Sequence, residues 1–140
     1  MMKVWDETSE QVLKIKPDKE KALSLLDLIN LRERNLKLMN SEEFTTLIVE
    51  GYYEIIKEMI TGIMSIDVWK TLSHEMLIGY IAKFYSEFPD SDISIMDQLR
   101  KTRNDISYRG VTINNDYIER NRDSILTIIE KLRKILNNKL

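Results

Sequence analysis

Four glycines and two prolines are all the backbone breakers in 140 residues. In a helix interior a glycine costs about 1 kcal/mol and a proline about 3 kcal/mol relative to alanine. A chain so poor in both interrupts its helices rarely, so the long stretches between breakers are predicted to be helical. Within them the apolar residues recur at helical spacing, which fixes the class further.

A first long helix is predicted from Asp18, whose carboxylate suits the N-cap, with Glu20 in the first turn where the helix dipole favours an anion. Ala22, Leu25, Leu26, Ile29 and Leu36 form its stripe, and it ends near Met39 and Asn40. Ser41 is predicted to cap a second helix that weakens at Thr61 and Gly62, with Phe44, Leu47, Ile48, Tyr52, Ile55 and Met59 on one face. The segment MSIDVWKTL reads as a connector. Ser73 is predicted to cap a third helix that stops before FPDSD, because Pro89 disfavours a helical Phe88. A fourth helix starts at Asp92 and ends at Gly110, and a fifth is capped by Asn115. Residues 1–17 are a separate N-terminal arm, either folded onto the body or frayed. Residues 18–140 form one all-α domain, an up-and-down antiparallel bundle of four to five helices. Some stripes are wide, so a homodimer is expected to bury the surplus apolar surface. Leu47 and Ile55 are expected in the core.

Composition narrows the functional classes. The formal net charge is −2, with 21 basic and 23 acidic side chains, which argues against a protein that coats DNA by charge alone. A local basic patch stays compatible with that balance. No cysteine is present, so disulfides, thiolate metal sites and a thiol nucleophile are ruled out. No apolar run approaches the roughly 20 residues needed to span a bilayer. The N-terminal MMKVWDETSE carries acids where a signal peptide needs an apolar core. The expectation is a cytoplasmic protein with no membrane partner, no metal and no cofactor.

Three clusters carry possible chemistry. The first is RNDISYRG, residues 103–110, with Arg100 one turn before it: Arg100 and Arg103 project from one helix face with Asn104 and Tyr108 beside them. Arginine's fork of donors suits phosphate, asparagine can hydrogen-bond a base, and tyrosine can stack on one. Arg109 extends the basic set. A structural reading of the same residues pairs Arg103 with Glu50 or Glu54 and Asp105 with Arg109, and lets Gly110 simply end the helix. The second cluster is Glu50, Glu54 and Glu58, a row of like charges at four-residue spacing that repel unless paired. Arg100 and Arg103 are the expected partners, with a bound metal as the other solution. The third is His74, the lone histidine, beside the Ser73 cap, where the helix dipole disfavours its protonated form. It reads either as a neutral histidine hydrogen-bonded to a neighbouring loop, or as a proton donor or RNA contact.

The phrases EGYYEIIKEMI, LSHEMLIGYIAKFY and LRKTRNDISYRG, in this order, resemble the HEPN superfamily (higher eukaryotes and prokaryotes nucleotide-binding) over about residues 18–138. The likeness is to small stand-alone prokaryotic and archaeal members. It implies a helical bundle that commonly dimerises. In active members it implies a metal-independent ribonuclease site of an arginine, four to six residues and a histidine. It also implies, for some small members, pairing with a minimal nucleotidyltransferase in a toxin–antitoxin system. Arg103 matches the motif arginine and Asn104 the polar residue that often follows. The histidine position holds Tyr108, and His74 has no arginine five to seven residues before it. Neutral tyrosine, with an ordinary pKa of about 10, is a poor base at neutral pH. The expectation is therefore a non-catalytic module that binds RNA, a nucleotide or a protein partner through Arg100, Arg103, Asn104, Tyr108 and Arg109. The alternatives are a metal-independent endoribonuclease using Arg103 with Tyr108 or His74, and a purely structural dimerisation protein.

Overall fold

The computed structural model describes residues 4–140, so the first three residues of the arm lie outside the described residues. Five helices dominate: α1 (Lys19–Leu38), α2 (Thr45–Ile66), α3 (His74–Phe84), α4 (Asp90–Arg109) and α5 (Asn115–Lys139). Asp18 caps α1 as expected, its side chain accepting from the Lys21 amide. Ser73 caps α3 in the same way through the Met76 amide. Gly110 ends α4 at φ 65°, a left-handed conformation that a side chain would strain.

Three helix starts differ from the sequence expectation. Ser41 does not cap α2: the residue before the helix is Phe44, which makes no side-chain cap bond, and Asn40 Oδ1 instead accepts from the amides of Glu42 and Glu43. That closes a turn, and α2 begins four residues after Ser41. Helix α4 starts at Asp90 rather than Asp92, because Pro89 fits just before a helix as well as just after one. Asn114 rather than Asn115 caps α5, accepting from the Asp116 amide.

Helix α2 is the central element, touching α1, α3, α4 and α5. It runs through Gly62 to Ile66 instead of weakening there. A Cβ on Gly62 would lie 3.4 Å from Leu136 Cδ1 and 3.8 Å from Ala22 Cα, so the glycine marks close helix packing. Pairings along the bundle give helix directions. Ala22 faces Gly62, Arg32 faces Glu58 and Leu36 faces Gly51, so α1 and α2 are antiparallel. Thr45 meets Asn115 and Gly62 meets Leu136, so α5 runs parallel to α2. Helix α1 therefore runs opposite to both α2 and α5.

The arm folds onto the body. Its strand β1 (Val12–Lys14) pairs antiparallel with β2 (Trp69–Thr71), Val12 opposite Thr71 and Lys14 opposite Trp69. This small sheet is an addition to the all-α expectation, and β2 lies inside the stretch read as a connector. Three-residue strands are too short to show a period in sequence. Trp5 is only 3% exposed and packs edge-on against Trp69, Tyr80 and Phe84, with ring centroids 5.6, 4.9 and 6.4 Å away. Asp67, just after α2, accepts from the hydroxyls of Tyr80 and Tyr85 and from Lys139 Nζ at 2.7 Å. It ties α3 to the end of α5. Burial alone would raise its pKa, but the bonds from Lys139, Tyr85 and Tyr80 outweigh that and hold it below the ordinary carboxylate range.

The core is built mainly on α2, with Ile55, Ile56, Met59, Ile60 and Ile63 fully enclosed. Ile55 is in the core as expected. Leu47 is not: it is 47% exposed, on a flank of α2 that faces solvent.

Candidate functional site

The start of α3 and the C-terminal half of α4 face each other across an open groove of about 280 Å³. His74, Arg100, Arg103, Asn104 and Tyr108 all line it, with Leu72 and Glu75 at one side. The structure thus brings together residues some thirty positions apart in sequence. Their convergence follows from the contact of α3 with α4. Arg109 stays outside the groove. It is exposed and meets Asp105 at 3.5 Å, one turn back on the same helix, so the structural reading of that pair holds.

Each cation has a definite environment. Arg100 donates from Nε to Asp97 Oδ1 at 2.9 Å and lies 4.0 Å from Glu75. Arg103 Nε lies 3.3 Å from Glu54 Oε1, but it is shielded from solvent and makes no well-formed hydrogen bond. Glu54 also meets Lys57 Nζ at 2.5 Å. Burial pushes the Glu54 carboxyl up, but the Lys57 bond and the charges of Lys57, Arg103 and Arg32 prevail and hold it below the ordinary range.

The glutamate row is resolved differently from the sequence expectation. Only Glu54 takes one of the two expected arginines. Glu58 is buried and accepts from Arg32 of α1 through both oxygens, at 2.8 to 3.1 Å. Glu50 makes no ion pair among the described residues, because Arg100 is held by Asp97 on its own helix. No group of three or more His, Asp or Glu among the described residues is placed to hold a metal.

His74 sits at the first position of α3, its ring centroid 5.7 Å from that of Tyr53. Burial lowers its pKa first, and the charges of Lys57 and Arg103 lower it further, so the imidazole is neutral at pH 7. The expected hydrogen bond to a neighbouring loop is not formed among the described residues. His74 and Leu72 also line a second depression of about 210 Å³, walled by Lys21, Lys57 and Lys70. Sequence reading missed these lysines, since they come from α1, α2 and β2. Lys57 alone left a local signal, three residues beyond Glu54 on one helix face.

Tyr108 is 78% exposed at the end of α4, so its ring is free to meet a flat ligand. The two depressions form a basic track with the neutral imidazole at their junction. Glu54, Asp97 and Glu75 temper the field, so contact geometry matters more than long-range attraction. No protein-family model, no curated protein and no solved structure matches this chain. No helix among the described residues is long and apolar enough to cross a membrane.

Proposed function

We propose that this protein is a HEPN-like binding module that holds the phosphate backbone of RNA, or the phosphate of a nucleotide, in the groove between α3 and α4. The convergence of His74, Arg100, Arg103, Asn104 and Tyr108 on one open groove carries this reading. Arg103 faces Glu54 through its enclosed Nε, which leaves its terminal nitrogens as donors for a phosphate. Asn104 supplies a hydrogen bond, and the exposed Tyr108 ring offers a face on which a base can stack. Homodimerisation and pairing with a nucleotidyltransferase in a toxin–antitoxin system belong to the same proposal. Exposed Leu31 and Leu38 on α1 give a dimer apolar surface to bury.

The test is binding of a short single-stranded RNA and of ADP across a salt series, by the wild type and Arg103→Ala. The variant is expected to bind about tenfold more weakly, with a shallower salt slope. Equal affinity at every salt concentration would remove the phosphate role.

A second reading, endoribonuclease activity, is favoured by one observation: a neutral histidine that makes no hydrogen bond among the described residues shares the groove with Arg103. Such an imidazole can accept a proton from a 2′-hydroxyl. RNA cleavage in EDTA that His74→Ala abolishes would support it. Intact RNA after long incubation at high protein concentration would leave binding as the function.

A further inference from the structure

A groove of about 300 Å³ lies among the end of α1, α2 and α5, and it shares no lining residue with the grooves at His74. Leu36, Ile48, Ile55 and Ile129 give it an apolar wall, while Tyr52 and Arg122 supply polar groups. Arg122 Nε is shielded from solvent and has no hydrogen-bond partner. Neither its guanidinium nor the Tyr52 hydroxyl has a polar partner among the described residues. A guanidinium without a partner is unfavourable, and while its Nε is enclosed, its terminal nitrogens are not and are open to a ligand oxygen.

Charge complementarity decides what kind of ligand fits. Glu33 is the acid on the groove wall, and Arg133 pairs with it, although Glu33 Oε1, like Arg122 Nε, is enclosed without a well-formed hydrogen bond. Among the described residues, Arg122 and Lys37, which both line the groove, make no ion pair. A neutral apolar molecule would leave Arg122 unpaired, and a cation would meet like charge. A carboxylate matches the guanidinium fork through two parallel hydrogen bonds. At roughly 30 Å³ for each non-hydrogen group, the groove holds about ten.

We propose that this groove is a binding site for a small amphipathic carboxylate, its head on Arg122 and its apolar tail along Leu36, Ile48, Ile55 and Ile129. The site is separate from the phosphate groove, and neither reading depends on the other. Octanoate has the right size, and octanamide is a neutral probe of the same shape.

The experiment is a titration of the full chain with both probes, followed by NMR of the isoleucine δ-methyl groups. Octanoate is expected to shift Ile48, Ile55 and Ile129 saturably and to bind about tenfold or more tightly than octanamide. Arg122→Met is expected to bring octanoate down to the affinity of octanamide. Equal binding of the two probes by the wild type would overturn the proposal. So would the three methyl groups staying unmoved at about 10 mM octanoate, the weak end of specific binding. Because the wild-type comparison decides by itself, the test survives a variant that folds poorly.

Discussion

Arg103 and Glu54 join α4 to α2 by an ion pair that is close, 3.3 Å, but not aligned as a hydrogen bond. Glu54 has a second cation in Lys57, so it is not stranded when Arg103 is removed. Arg103→Ala should therefore cost about 1–2 kcal/mol, below the 3–5 kcal/mol of a buried pair broken to leave a bare charge. Urea unfolding measures this. A loss above that larger range would make Arg103 a structural keystone and favour the purely structural reading of the cluster.

His74 gives the pH dependence. Its folded pKa lies below its ordinary value, about 6.5 in the unfolded chain. Well above pH 6.5 the ring is neutral in both states and contributes no pH dependence. As pH falls below 6.5 the unfolded chain takes up the proton first, so stability drops until the folded pKa is passed. The loss between pH 7.5 and pH 5 should be smaller in His74→Gln than in the wild type. A phosphate bound beside His74 favours the imidazolium, so RNA affinity should rise over the same pH interval in the wild type alone. Identical pH profiles for the two proteins in both measurements would show that His74 does not face the ligand.

The packing of α2 separates two residues that sequence reading treats alike. Ile55 is fully enclosed, and Ile55→Ala should cost about 2–5 kcal/mol. Leu47 is half exposed, and Leu47→Ala should cost less than about 1 kcal/mol. Thermal unfolding of the two variants reads the difference. Equal shifts would mean that Leu47 is covered in solution, as it would be by a second copy of the chain.

Leu47 also shows where the sequence stops being legible. Helical spacing marks a stripe, but the width of the stripe that is buried depends on which neighbours dock, and only the fold supplies them. Caps at Asp18 and Ser73 and the stop at Gly110 were readable because each acts within one turn. The groove was half readable. Arg100, Arg103, Asn104 and Tyr108 share a helix end, so their clustering is a matter of spacing. That His74 joins them, and that Lys21, Lys57 and Lys70 flank it, depends on contacts among five separate elements. The arm was least legible, because its strand exists only through pairing with β2.

The connection from α2 to that strand holds a strained residue. Val68 has φ 75°, a conformation in which a branched Cβ crowds its own backbone. The strain is held in place from both sides: the Val68 carbonyl accepts from the Ile15 amide at 2.8 Å, and Asp67 is fixed by Tyr80, Tyr85 and Lys139. A left-handed conformation costs a non-glycine residue about 1–2 kcal/mol, more than the extra chain entropy that glycine brings to the unfolded state. Val68→Gly should therefore leave the protein as stable as the wild type or raise its stability by up to about 1 kcal/mol. Most substitutions of a half-buried valine would instead destabilise. Because β2 leads directly into Leu72 and His74, the variant should also keep its RNA affinity. A clear loss of stability in urea would mean that the Val68 side chain packs for more than the strain it carries.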